Sequence, residues 1–327
     1  MKKKILLVIC AMLLITGCKK DVKLVNGENA VVTFKEGGIS SNELYDALKE
    51  TQGAEKIMNL IDTFLLDKLY DETDEEKKYI SQNVKTIKKA AEDMGINYET
   101  YLNYYYGVAT EESFEDYLRL SFRRDQWTLE YAKENVTEKQ INEYYETEVY
   151  GDVEASHILI TVDTKKDATD DEIKKAENDA LEKAKEVIKK LNDGGDFATL
   201  AKEYSKDSLT SENGGTLGKV NDGDIADEVL DSLRTMKDGS YSSSPIKASD
   251  GYHIVYRKSQ DAKPELKEDL TAEIKETIAQ ETASKASFQL KALKELREKN
   301  EMTFVDTKLK DDFDVLVSQY ESQYANQ

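Results

Sequence analysis

The sequence predicts an α+β chain in which a small sheet-containing domain interrupts an otherwise helical one. Three observations carry this: apolar residues at helical spacing from 40 to 148, a change at Gly151 to short β-branched runs punctuated by glycine, and a return to helical spacing after Pro264. At 327 residues the chain is long enough for about two domains with real cores.

The elements follow in order. Residues 21–38 read as a polar lead-in. Ser40 and Glu43 are spaced as a capping box before Leu44, Ala47 and Leu48, and the apolar stripe runs on through Ile57, Leu60, Ile61, Phe64, Leu65 and Leu69. Tyr79, Val84 and Ile87 continue it, and Gly95 and Gly107 mark breaks. A second box, Thr137 with Gln140, opens the segment carrying Ile141, Tyr144 and Tyr145. Beyond Gly151, Val153 to Val162 reads as a strand, and Thr169 with Glu172 caps a helix whose stripe is Ile173, Ala176, Ala180, Ala184, Val187, Ile188 and Leu191. Then come a short helix at 196–204, a glycine-rich stretch at Gly214-Gly215, a helix over 226–236, and strand-like runs at 241–247 and 251–258. The order is β-α-α-β-α-β-β. From Pro264 one helix is expected past Leu296, then a strand-like run at 303–307 and an acidic amphipathic tail. A long helix needs a packing partner, and the simplest one for 264–300 is the block 40–148, so both ends of the chain are expected to build one helical domain.

The N-terminus reads as a secretory signal: Lys2, Lys3 and Lys4, then the apolar stretch Ile5 to Ile15, then small residues before Cys18. That stretch is short for a bilayer span. Leu14-Ile15-Thr16-Gly17-Cys18 resembles the lipobox of bacterial lipoproteins, which would make residues 1–17 the signal, 18–39 a lead-in, and Cys18 a lipid-modified first residue. Cys10 would leave with the signal, so stability would rest on packing rather than disulfides.

Composition narrows the function. With 46 basic against 66 acidic residues the formal net charge is −20, the wrong sign for neutralising phosphates, and nucleic acid is excluded as a partner. Two prolines and 16 glycines exclude collagen-like and proline-rich disordered classes. No cysteine falls in the sheet domain and no HExxH pair occurs, so zinc is not expected; no GxSxG elbow supports serine hydrolysis. The chemistry therefore rests on the only two histidines, His157 and His253, each inside a strand-like run. His157 shares a face with Leu159 and His253 with Val255, so neighbouring strands in register would bring both imidazoles to one buried face.

Four motifs in order, Ala155-Ser156-His157-Ile158-Leu159, Asp196-Phe197 through Tyr204-Ser205, Asn213-Gly214-Gly215-Thr216-Leu217-Gly218 and Gly251-Tyr252-His253-Ile254, resemble the parvulin-type peptidyl-prolyl isomerase domain. With the lipobox and the helical flanks, the chain resembles the PrsA family of exported foldases; the SurA type, without a lipid anchor, is the runner-up. The resemblance implies a small antiparallel sheet flanked by helices at 151–260, inserted into an all-helical SurA/PrsA-like chaperone domain of 40–150 and 261–327. It implies His157, His253 and Asp207 as catalytic positions, Leu217, Val220, Ile225 and Val229 as the proline pocket, and no cofactor or metal. Val220 and Val229 stand where family members commonly carry aromatic rings, so a wider pocket and weak catalysis are expected, with a ring at 229 deepening the pocket if it can be accepted.

The partners implied are unfolded or newly exported polypeptides and the membrane, with the chain on its extracytoplasmic face. A homodimer is left open. The aromatic run Tyr98, Tyr101, Tyr104, Tyr105, Tyr106, Phe114, Tyr117, Phe122, Trp127 and Tyr131 would serve the helical core, or a crevice for unfolded segments. A holdase with a degenerate isomerase domain is the alternative function. A solute-binding lipoprotein is disfavoured, since no two-lobed α/β alternation is present. Asn135-Val136-Thr137 matches a glycosylation sequon, but Thr137 is better explained as a helix cap.

Overall fold

The computed structural model describes residues 22–324; the signal segment, Cys10 and Cys18 lie outside the described residues. The chain divides into two compact units, 1–136 with 276–327, and 137–275.

The first unit opens with an antiparallel hairpin, β1 (Ala30–Phe34) and β2 (Gly37–Ser40). This corrects the featureless lead-in: Val31, Val32 and Phe34 are strand formers, and the turn is closed by Gly37 at φ 123°. Five helices follow, α1 (Ser41–Leu69), α2 (Asp74–Asp93), α3 (Tyr98–Tyr106), α4 (Glu111–Asn135) and α5 (Glu138–Glu148), the last falling in the second unit. Ser40 and Glu43 form the reciprocal capping box before α1, and Thr137 and Gln140 the one before α5. Gly107, at φ 66°, ends α3 with a left-handed cap.

After the second unit the chain returns as α9 (Glu268–Ala283), α10 (Ala286–Lys299) and α11 (Thr307–Tyr324). Two expectations are corrected here. The single helix past 264 is broken at Ser284-Lys285, where Lys285 takes an extended conformation, ψ 123°, before α10 begins. The run at 303–307 is not a strand: it is the extended entry to α11, where the Asp306 carboxylate accepts from Leu309 N at 3.0 Å, and Val305 finds no sheet edge and is exposed. Alternation alone cannot supply a pairing partner.

Two apolar clusters hold this unit. Leu65 and Leu66 of α1 meet Leu120 of α4 and Leu293 and Leu296 of α10; Ile80 and Val84 of α2 meet Leu102 of α3 and Phe114 and Leu118 of α4. Beside the first lies a buried charge cluster. Asp62, fully buried, accepts from Arg297 Nε and Nη2, both at 2.8 Å, and from Arg124 Nε at 2.9 Å. Glu76, 1% exposed, accepts from Arg123 Nε at 2.9 Å and pairs with Arg119 at 3.2 Å. Asp62 thus joins α1 to α4 and to α10, helices 235 residues apart in sequence.

The second unit contains β3 (Val153–Ile160), α6 (Asp170–Asn192), α7 (Phe197–Tyr204), β4 (Thr216–Val220), α8 (Asp227–Thr235), β5 (Ser240–Tyr241), β6 (Ile246–Ala248) and β7 (Gly251–Gln260). The run expected at 241–247 is two short strands, β5 and β6, both antiparallel to β7 and separated by Ser242–Pro245; proline lacks the amide proton a continuous ladder needs. The sheet order is β4-β3-β7-β5, with β6 also on β7, and every pair is antiparallel. One face carries Ile158, Ile160, Tyr252 and Ile254 against α6 and α7; the other carries Val153, Ala155 and Val255 against Val229, Leu230 and Leu233 of α8. α5 is tied to the segment after β7, with Lys263 Nζ donating to Tyr145 O at 2.8 Å.

Removing the Asp62 carboxylate would leave Arg124 and Arg297 facing one another without a counter-charge. Asp62→Ala should destabilise the helical unit by about 3–5 kcal/mol. Denaturant unfolding followed through Trp127, the single tryptophan, whose indole donates to Ala292 O in this unit, would measure it. Asp46→Ala, on a carboxylate 67% exposed, should change little.

Candidate active site

The register of β3 with β7 sets His157 opposite Val255 and Leu159 opposite His253, so the histidines occupy diagonal positions on the face shared with α8. Their Nδ1 atoms lie 3.1 Å apart and both residues are buried. Each outward nitrogen ends on a carboxylate: His157 Nε2 lies 2.8 Å from Asp207 Oδ2, and His253 Nε2 2.8 Å from Asp250 Oδ1. The result is a linear chain, Asp207–His157–His253–Asp250, with all four ring nitrogens partnered.

The loop bearing Asp207 is fastened to β3. Leu159 N donates to Ser205 Oγ at 3.1 Å, and Lys206 N donates to Leu159 O at 2.8 Å. The Thr210 hydroxyl donates to Asp207 Oδ2 at 2.5 Å and lies 3.2 Å from His157 Nε2; Leu209 N donates to Asp207 Oδ1 at 3.0 Å. A turn at Ser211–Asn213 then brings Gly215 against the site, and His157 N donates to Gly215 O at 2.8 Å. Gly215 holds φ 75°, and a Cβ there would fall 2.1 Å from the His157 carbonyl oxygen, so no other residue fits without displacing the histidine.

Electrostatics follow from burial and hydrogen bonding. Burial is the largest influence on His157 and holds its pKa below the usual histidine value, against the pull of the Asp207 hydrogen bond. Burial also pushes Asp207 and Asp250 upward, but hydrogen bonds outweigh it: from Thr210, His157 and Leu209 N for Asp207, and from His253 for Asp250. Both carboxyls lie below the usual aspartate value. Burial thus opposes an added proton on His157, the ring in contact with both Asp207 and His253.

Of the pocket positions, Leu217 and Ile225 are partly exposed, while Val220 and Val229 are 4% and 1% exposed. All four join one cluster with Val255 and Ala155, the neighbours of the histidines on that face. Leu217 is the extra residue of a bulge, since Thr216 pairs with Ser156 and Gly218 with Ala155, which turns its side chain out of the ladder's alternation. Leu217 and Ile225 thus present partly exposed apolar side chains in the cluster that adjoins the two imidazoles. The site offers no free nucleophile. Among the described residues no group of three or more histidine, cysteine or acidic side chains is placed to hold a metal ion.

Asp250 and Thr210 were not singled out from the sequence, and Ser205 and Gly215 were read only as members of motifs, without a role at the histidines. Asp250 could have been found, because it sits three residues before His253 at the entrance to the strand; the others depend on how the 205–215 loop folds back.

Comparison with known proteins identifies the domain and the family. The family model Rotamase, a PPIC-type PPIase domain, matches residues 157–259. The foldase protein PrsA of Geobacillus kaustophilus is 32% identical over 272 residues, 82% of this chain and 83% of that protein. Foldase protein PrsA 4 of Bacillus cereus is 31% identical over 302 residues, 92% and 95% of the two chains. The crystal structure of foldase protein PrsA from Streptococcus pneumoniae has a TM-score of 0.57 over 87% of this chain and 98% of that one, a likeness of fold at 19% identity.

Gly215→Ala should cost about 1–3 kcal/mol through its forced φ alone and shift the His157 ring signals in an NMR spectrum; an unchanged spectrum would mean the loop does not support the ring. The pH dependence has one sign throughout. The unfolded chain protonates at His157 below about pH 6.5 and at the two aspartates below about pH 3.9, while the folded groups resist until lower pH. Stability of this unit should be complete above about pH 6.5 and fall in two stages on acidification, the first absent in His157→Gln. A series of melting curves would show it.

Proposed function

The chain belongs to the PrsA family of foldases, and from this we propose that it is tethered outside the cytoplasmic membrane by lipid on Cys18, turns prolyl bonds in exported polypeptides, and holds their unfolded segments on its helical unit. The PPIC-type domain is a peptidyl-prolyl isomerase. Within it we assign His157, His253 and Asp207 to the reacting bond, and Leu217 and Ile225, over a floor of Val220 and Val229, to the proline ring. The observation that carries this assignment is the closed Asp207–His157–His253–Asp250 chain on the same sheet face as the apolar cluster.

Rotation about an X-Pro bond must overcome the ~18–20 kcal/mol conferred by amide conjugation. No bond need be made or broken. A surface that fits the twisted ring better than either planar isomer lowers the barrier by differential binding, and a wall whose ring nitrogens are already partnered neither attacks the carbonyl nor rewards its planar form. The carboxylates at each end fix the imidazole orientations, so the wall is organised before substrate arrives.

Support for holding comes from the helical unit. A groove of about 330 Å³ is lined by Tyr45, Leu48, Ile57, Leu60 and Leu309, and Tyr104, Tyr105 and Tyr117 are exposed, whereas Phe114, Tyr101 and Tyr131 of the same aromatic run are core. Aromatic and aliphatic side chains in open grooves accept varied segments. No described helix is long and apolar enough to cross a membrane; the proposed attachment is the lipid on Cys18, read from the Leu14–Cys18 lipobox. A non-catalytic holdase is the second reading, favoured by the valines at 220 and 229, which close the floor with aliphatic side chains.

An isomerisation assay on a short proline peptide decides between the two. His157→Ala and His253→Ala should each lower kcat/KM by about tenfold, ~1.4 kcal/mol of transition-state stabilisation, while suppression of client aggregation persists. A wild-type rate equal to the uncatalysed one would establish the holdase. Because Val229 is sealed in the core, Val229→Phe should cost about 1–3 kcal/mol of stability from overpacking before any gain in rate is seen. Cys18→Ala should release the protein from membranes or leave its precursor uncleaved, and membrane association unchanged in that variant would end the lipoprotein reading.

A further inference from the structure

The β1–β2 hairpin has two unlike faces. Thr33 opposite Gly38 lies on the face covered by Leu24, whose Cδ2 would sit 2.7 Å from a Cβ at Gly38. The opposite face carries Val32 paired with Ile39, and Phe34, which are 44%, 41% and 65% exposed; Val22 and Val25 just before it are 57% and 107% exposed. A two-stranded sheet is marginal alone, and an apolar face left in water adds to its cost.

We propose that the hairpin rests its Val32–Phe34–Ile39 face in the interfacial layer of the lipid bilayer, so that the helical unit is held against the membrane at a defined surface. This rests on the reading of Cys18 as the lipid-modified residue. Val22 is four residue steps beyond Cys18. A fully extended chain spans at most ~3.6 Å per residue, so the tether confines Val22 to within about 14 Å of the lipidated position. Ala30 N donates to Val22 O at 2.7 Å, so the start of the hairpin lies beside that confined residue and close to the bilayer surface.

Charge agrees with a lipid occupant. Residues 22–40 contain two lysines, Lys23 and Lys35, and two glutamates, Glu28 and Glu36, and are neutral in a chain of net charge −20. The rest of the surface is repelled by anionic headgroups; this segment is not, and its lysines can approach them. A phenylalanine and branched aliphatic side chains flanked by lysine are suited to the boundary between headgroups and acyl chains.

The test uses the lipidated full chain in vesicles of phosphatidylglycerol and phosphatidylethanolamine. If the anchor reading holds, a cysteine introduced at position 34 is the only free thiol. A polarity-sensitive fluorophore on Phe34→Cys should shift to shorter wavelength and be quenched severalfold more by lipids nitroxide-labelled near the headgroup than the same fluorophore on Glu99→Cys of α3. Intact mass reports the lipid on Cys18 separately. Lipid present, with equal quenching at both positions, would overturn this proposal alone. Lipid absent from a mature chain would overturn the anchor reading and this one with it. Shielding of the 34 label that appears without vesicles and rises with protein concentration or added unfolded client would assign the face to a second copy or to client, and would also overturn it.

Discussion

The antiparallel register of β3 on β7 is the constraint on which the site depends. Because side chains alternate, setting His157 opposite Val255 puts both histidines on the α8 face and Ile158 and Ile254 on the α6 face; a slip of one residue would exchange those sets and bury two imidazoles among aliphatic side chains. The register is held from both sides. Ile158, Ile254, Val187 and Ala184 are wholly buried on one face and Val255 on the other, and moving any of them to water would forfeit roughly 1–3 kcal/mol per side chain. The carboxylates of Asp207 and Asp250 then complete a polar chain that only this register permits, and such a chain rigidifies a core when every member is satisfied.

In the helical unit the corresponding role falls to charges. Asp62 between Arg124 and Arg297, and Glu76 between Arg119 and Arg123, replace water with paired guanidinium contacts at near-complete burial. Buried ion pairs return little net stability compared with apolar packing, but breaking one is costly, so they discriminate among helix arrangements that leucine contacts alone would tolerate. The leucines of α1, α4 and α10 supply the attraction, and Asp62 selects the pairing of helices from opposite ends of the chain.

The two proposed functions make different physical demands on the two units. An isomerase site must present a fixed surface, which a sheet with a locked loop provides, and Gly215 lets that loop approach the backbone of His157. Holding a varied unfolded chain asks instead for apolar area without fixed partners, which the exposed tyrosines and the groove on α1 offer. Valine at 229 belongs to the second unit's core, where Leu230, Leu233 and Val255 already fill the space an aromatic ring would need.

The sequence by itself determined the local grammar. The capping boxes at Ser40, Thr137 and Thr169, the breaks at Gly95 and Gly107, the stripe of α6 and the α+β class were legible because each depends on neighbours within one or two helical turns. The pairing of the two histidines was legible as a conditional, since alternation sets their faces but not whether the strands meet. Asp207 was reached through resemblance to a known motif. Tertiary structure alone decided the rest. The 303–307 run has strand composition but no edge to join, the 21–38 lead-in reads as polar yet contributes a paired hairpin, and the helix after 264 breaks at an extended Lys285. Thr210 and Ser205 acquired roles because a loop folded back across β3, and Asp250 because the turn into β7 sets it beside His253. A hydrogen bond between residues fifty or a hundred positions apart is fixed by the path of the backbone between them, and no local pattern records that path.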